Sequence, residues 1–402
     1  MDTICPFFTS TDTILFGTNA NNAALYVPRS VGAFFVIWSV TIVLRGKIKK
    51  DLSLLIICFF IGILMLNLLV NNENPSTIVS RIISILVAYC IVNIYDQNYF
   101  VNIFDRVMFM IAKVAIIIEI IAYIFPKLIY LFPSVTNTAN GIFATCIVGG
   151  LQLSNISQFF IRASGPFWEP GAFAIYLVLA IMNQLFFLKM DIKKVIAYVI
   201  CLIITFSTTG YIALAGVFIV YTMYSDSGKV NRYLKTGIVG ILLLGIFVLL
   251  FGQNTSIYEM LFGKIVSNSS TSVTRYASII NGLQIGFDYP MFGVGPNKLG
   301  DYMAMYAMKT TVMDLGANPW NTNTTTYQFA AYGAIFGIVF VIGYIRYFRK
   351  SCNKFLLRIG LLIVVLLAYC GEAYFSFLPY VFVFYGYSNR NSGGYISESG
   401  SN

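Results

Sequence analysis

The sequence predicts an all-α, polytopic membrane protein, and three observations carry that prediction. Of 402 residues, 58% are hydrophobic and only 10% are charged. The apolar residues fall in long runs of the kind that cross a bilayer, with polar turns between them. Lysines and arginines gather in short clusters between the runs, so positive-inside orientation accounts for the net charge of +10 better than a nucleic-acid partner does. The whole chain, 1–402, reads as one integral membrane domain.

Residues 1–27 are mixed and Asn/Thr-rich, without the basic start and continuous apolar core of a cleaved signal peptide, and read as an external leader or surface helix. The first span covers about 31–44 and ends in Arg45, Lys47, Lys49 and Lys50, which assigns that loop to the cytoplasm and the amino terminus to the outside. Spans at 52–70, 78–95 and 107–124 follow. The last of these carries Lys113 and Glu119, two groups costly in lipid that should face protein or water; a structural contact with a neighbouring span suits them better than a proton relay. Residues 126–171 form a first large external loop, with an apolar patch at 142–151 too short to span. A fifth span at 172–188 returns inward to Lys189, Lys193 and Lys194.

The segment 195–224 is basic at both ends and holds TFSTTGYI in its middle. It therefore goes in and comes back as two half-length helices, breaking at Ser207, Thr208, Thr209 and Gly210; the alternative, equally weighted, is a plain tight hairpin whose hydroxyls satisfy their own backbone. A span at 237–251 leads to a second large external loop, 252–325, longer than structureless loops ordinarily are. Within it, 272–287 has near-helical apolar spacing and reads as an amphipathic helix lying along the membrane, with Arg275 on its first turns. DYPMFGVGPN then gives a turn in which Gly293, Gly295 and Asn297 offer backbone N–H groups to an anion. Spans at 326–344, 359–370 and 375–385 close the chain around a basic cytoplasmic loop at 346–358, and 388–402 is a polar tail expected to be disordered. This makes about eleven crossings, one broken helix pair and two large extracytoplasmic loops.

The stretch RASGPFWEPGAFA, from Arg162 to Ala174, concentrates polar function at the mouth of the fifth span. Arg162 supplies a planar permanent cation suited to phosphate, and Glu169 a carboxylate for proton transfer; the same pair would also serve merely to close a loop against the helix. Arg275 is its counterpart in the second external loop. Trp168 and Trp320, two of the three tryptophans, lie in these loops as platforms for sugar rings, with membrane-interface belting an equal reading for Trp320. Ser207, Thr208, Thr209 and Tyr276 complete the candidate binding set. Histidine is absent, which removes Ser-His and Cys-His nucleophiles and imidazole metal ligands. The seven cysteines are scattered, without C-x-x-C spacing, and read as packing residues, so neither a metal nor another cofactor is expected.

This order of features resembles the bacterial O-antigen polymerase and ligase superfamily. The residues that carry the resemblance are Arg162, Gly165, Glu169 and Pro170, the TFSTTG break, and Arg275 followed by YPMFGVGPN. Arg275 also begins an arginine, ten residues, glycine pattern ending at Gly286, similar to a motif of polymerase loops, whereas Phe173 stands where Arg162 would need its glycine. The resemblance implies an inner-membrane glycosyltransferase with a periplasmic active site. It would act without a metal on polyprenyl-pyrophosphate-linked oligosaccharide, with membrane lipid and a chain-length regulator as partners. It assigns Arg162 and Arg275 to the pyrophosphates and leaves the general base open, Glu169 being the candidate by type and position. The ligase branch carries a histidine in the second large loop; here GANPWNTNTTTYQ has Asn318, Asn321 and Asn323 instead, which favours polymerase over ligase. A non-enzymatic lipid-linked oligosaccharide flippase is a further alternative, against which stand the lack of self-similar halves and the polar mass outside the membrane.

Overall fold

A computed structural model of the protein describes residues 51–129, 131–132, 134–136, 142–146, 149–152, 161–167, 169–224, 270–311, 321–371 and 377–389. The spans expected at 31–44 and 237–251, together with Trp168 and Trp320, lie outside these residues, as does the tail beyond 389. The described chain is mostly helical.

Three helices, α1 (Leu52–Val70), α2 (Pro75–Ile94) and α3 (Gln97–Ile124), are long and apolar enough to cross a membrane. Their starts are written locally. The Asp51 side chain accepts from Ser53 N–H before α1, and Asn74 accepts from Ser76 N–H before α2, where Pro75 takes the first turn. Within α3, Glu119 turns into protein at 3% exposure while Lys113 stays on the outer surface, its Nζ 4.6 Å from the Phe109 ring centre.

The expectation of an all-helical chain needs one correction. After a single turn, α4 (Pro126–Ile129), the first large loop folds into a four-stranded antiparallel meander. Its strands are β1 (Ser134–Thr136), β2 (Ile142–Cys146), β3 (Gly149–Gln152) and β4 (Arg162–Ala163). The apolar patch too short to span is thus β2 and β3, paired Phe143 to Gln152 through Cys146 to Gly149. Strands of this length are invisible to a reading that looks for membrane-length runs.

Helix α5 (Pro170–Phe186) is the centre of the bundle: 14 of its 17 residues are buried. It is apolar on every face, which is the pattern of a helix surrounded by others. Helices α6 (Ile192–Ile204) and α7 (Thr208–Tyr224) pack against it. Their directions follow from contacts. Asp191, which caps α6, donates its N–H to Gln184 Oε1 at 2.9 Å, near the end of α5. Gly210 lies against Ala174 near the start of α5, whereas Tyr221 packs edge-on to Phe186 and donates to Met190 Sδ at 3.8 Å. So α7 runs alongside α5 in the same sense, and α6 and α7 form an antiparallel pair, as the basic ends of the segment suggest.

The second half comprises α8 (Ser270–Asp288), α9 (Leu299–Tyr306) with a π-helical turn at Ala307–Thr311, α10 (Thr324–Tyr332), α11 (Ala334–Ser351), α12 (Phe355–Ala368) and α13 (Leu378–Tyr387). The single span expected at 326–344 is two helices. Gly333, at φ 96°, separates α10 from α11, and a side chain there would meet the Pro290 carbonyl oxygen at 2.5 Å. An aromatic cluster of Phe60, Phe336, Phe340, Tyr380 and Phe384 ties α1, α11 and α13 together. Polar contacts mark the two ends of the bundle. At one end Gln97 Nε2 donates to Ser351 Oγ at 2.7 Å and Tyr385 OH to Tyr95 O at 3.0 Å. The opposite end gathers the sheet, the turn between α6 and α7, and the loop between α8 and α9.

Candidate functional site at the turn between two half-helices

The last carbonyls of α6 have no partner within the helix and carry the negative end of its dipole. Phe206, at φ 48°, stops α6 in a left-handed turn, and Ser207 restarts the chain as α7 by accepting Gly210 N–H on its hydroxyl at 3.3 Å. The break therefore falls at Thr205–Ser207, slightly ahead of the expected one, and Thr208, Thr209 and Gly210 already belong to the first turn of α7. Ser207, Thr208 and Thr209 are all buried.

Two arginines from two separate loops meet at this turn. Arg162, on β4, donates from Nε to Thr205 O at 3.1 Å and from Nη2 to Phe206 O at 3.2 Å. Its forked guanidinium binds the two carbonyls that directly follow α6. Arg275, on α8, reaches Thr208 Oγ1 with Nη1 at 3.4 Å. Both side chains are half-buried. Glu169 stands at the N-cap position of α5, half-buried, and its side chain makes no capping hydrogen bond. It precedes by about one turn Ala174, the residue that Gly210 touches, so it belongs to the same end of the bundle.

The remaining expected residues are placed elsewhere. Tyr276 lies on the outer surface of α8 at 53% exposure. Gly293 and Gly295 have φ of 63° and 83°, as a cradle turn requires, yet its donors are engaged by the chain itself. Val294 N–H bonds Ala330 O at 3.0 Å and Gly295 N–H bonds Ala331 O at 3.1 Å. Asn297 N–H faces the Glu73 carboxylate at 3.1 and 3.2 Å, and that carboxylate sits directly over the Gly295 α-carbon, where no side chain fits. Burial pushes the Glu73 carboxyl above its ordinary range, against the pull of Asn297 N–H and the charge of Lys298. Of the turn's N–H groups, that of Asn297 thus meets a carboxyl group, and the carboxyl comes from the connection between α1 and α2.

A polar cluster at the start of α10 stands beside the turn and is absent from the residues singled out above as binding or catalytic. Asn323 Oδ1 caps α10 by accepting Thr325 N–H at 2.8 Å and Thr326 N–H at 2.9 Å, and Asn321 Oδ1 accepts Asn323 N–H at 2.8 Å. Ser278, one turn after Arg275, takes Thr322 N–H on its hydroxyl at 3.0 Å and Thr326 Oγ1 on its carbonyl at 2.8 Å. Asn323 Nδ2 approaches Cys370 Sγ at 3.2 Å, and Gly371 lies against Thr209. The signal was an asparagine followed by threonines ahead of an apolar run, a capping pattern whose residues here also fix the start of α10 against α8.

Taken together, the described residues define a helical protein with membrane-length helices and an arginine-lined turn between two half-helices. Comparison with known families supplies the rest. Residues 195–324 match the family model described as O-antigen ligase, and the match supports the O-antigen polymerase and ligase superfamily. That family points to polymerase or ligase activity on lipid-linked glycan, and so to an enzyme, rather than to a flippase. The matched segment, about a third of the chain, contains most of α6, the turn, α7, Arg275 and the loop after α8, while Arg162 and Glu169 precede it. No curated protein matches the chain.

Proposed function

We propose that the protein polymerises polyprenyl-pyrophosphate-linked oligosaccharide repeat units on the external face of a bacterial inner membrane. The observation that carries the reading is the convergence of Arg162 and Arg275 on the turn at Thr205–Thr208. In the transfer, an acceptor sugar hydroxyl attacks the anomeric carbon of the donor, the bond from that carbon to the pyrophosphate oxygen breaks, and the hydroxyl proton passes to a base. Arg275, next to the positive end of α7, is the group suited to the charge growing on the leaving pyrophosphate. Arg162 acts one step back by holding the α6 carbonyls away from that anion. Glu169, uncommitted as a cap, is the candidate base. The reaction needs no metal in this scheme, the positive charge being supplied by arginine.

The family description favours a second reading, a ligase that passes glycan to a separate lipid acceptor. Against it, the chain has no histidine, and Asn323, in the loop where the ligase branch is expected to carry one, is committed to capping α10. Purified protein in liposomes with lipid-linked repeat units as sole substrate separates the two: polymerase gives a ladder of products, whereas a ligase needs the added acceptor. Arg275→Ala should lower ladder formation by roughly a hundredfold or more, the usual cost of losing a transition-state donor. A normal ladder from that variant would remove Arg275 from the mechanism.

A further inference from the structure

Helix α8 packs against α10 and α11 on one side and against α9 and the π-helical turn on another, and among the described residues no element packs on its third face. That third face is a single apolar stripe. Tyr276 (53% exposed), the half-buried Ile280 and Leu283, and Phe287 (60% exposed) recur at helical spacing, and Met291 (53% exposed) prolongs the line past the helix end. From Tyr276 to Phe287 the stripe is about 16 Å long at 1.5 Å per residue. Its two ends differ in character. At one end, Arg275 is the residue before Tyr276 and turns inward to Thr208. At the other, the turn after Met291 is fastened to the end of α1, Asn67 Nδ2 donating to Phe292 O and Asn71 Nδ2 to Gly293 O at 3.4 Å. There α1 exposes Leu69 and Val70, at 72% and 57%, as a span facing lipid does.

We propose that this stripe seats the polyprenyl tail of the lipid-linked substrate, so that the chain runs from its pyrophosphate at Arg275 along α8 to the bilayer beside α1. The inference rests on the function proposed above and adds the path of the lipid to it. Ordering is the first argument: a cation, then a line of apolar side chains, then a lipid-facing helix end, matches a molecule that is anionic at one end and hydrocarbon for the rest. Width is the second. Gln284 and Asp288 are exposed along one side of the stripe, and on the other the helix turns inward at the buried Gly282 and Gly286, so the apolar surface is narrow and suited to a single linear chain. A face embedded in bulk lipid would lack such a polar border, as α1 does along Leu55, Leu66, Leu69 and Val70.

The test uses the full-length protein in nanodiscs and a polyprenyl pyrophosphate carrying a diazirine in its tail, with labelled peptides mapped after irradiation; no turnover is required. The expected result is labelling within residues 276–291 that falls roughly tenfold when unlabelled polyprenyl pyrophosphate competes and is unchanged by added phosphatidylglycerol. Labelling there that a diazirine-bearing phospholipid reproduces and polyprenyl pyrophosphate does not compete away would make the stripe ordinary bilayer contact and overturn the proposal. Competed labelling confined to other helices would also overturn it, while leaving the proposed function standing. No competed labelling anywhere would count against both.

Discussion

Arg162 has a use in the fold that its residue type alone does not announce. Its planar cation suggested phosphate, and in the folded chain Nε and Nη2 instead close the carbonyl end of α6. Two donors at fixed geometry are needed to reach two successive carbonyls, which an arginine provides and a lysine does not. Arg162→Lys is therefore expected to lower stability by about 1–3 kcal/mol, the cost of leaving buried acceptors unsatisfied, and to lower activity with it. A thermal melt in detergent checks the first part. Arg275→Lys should behave differently, keeping the melting temperature while activity drops, because its hydrogen bond is to one threonine hydroxyl and its proposed work is on the substrate. If both variants melt like the parent, the division of labour between the two arginines is wrong. Glu73 and Asn297 teach the same lesson from the other side. Gly293, Gly295 and Asn297 suggested a turn open to a ligand's anion; in the fold Asn297 N–H faces the Glu73 carboxyl, a partner that sequence order gave no reason to expect.

Among the elements, those with strong period or strong capping were legible, and those set by distant neighbours were not. The helix 52–70 is written in a long run that is apolar but for Ser53 and Asn67, and α1 covers the same residues. The pair α6 and α7 was legible because basic residues at both ends leave the chain no other course. Gly333 was not: an isolated glycine within TYQFAAYGAIFGIVF is common in apolar helices, and only the Pro290 carbonyl packed against it shows why the helix must stop. Its φ of 96° is closed to other residues without strain. Gly333→Ala is expected to cost about 1–3 kcal/mol through the left-handed backbone and the carbonyl contact combined. The same change at Gly62, which has open space around it, serves as the control and should be near neutral or mildly stabilising. Equal melting temperatures for the two variants would mean that the break at Gly333 does not exist in the folded protein.

Across the whole molecule, composition told the class, and charge distribution told the two ends apart, because apolar runs and basic clusters are one-dimensional signals. Which loops meet is a three-dimensional fact, and only the fold brings β4, α8 and the start of α10 to one turn. Sidedness is the property on which the proposed chemistry depends, since a lipid-linked glycan polymerised outside must find Arg275 outside. The basic stretch from Arg346 to Arg358 lies at the end of the bundle opposite the turn, where α11 gives way to α12. Asn297 and Lys354 are both exposed, one at each end, and so make a matched pair of reporters. With the seven native cysteines replaced, Asn297→Cys should react with a membrane-impermeant thiol reagent added to spheroplasts, and Lys354→Cys only after the membrane is opened. The reverse pattern would put the arginine turn in the cytoplasm. Reaction of both from the same side would mean that the two ends of the bundle do not lie across the membrane, and the assignment of α1, α2 and α3 as spans would fall with it.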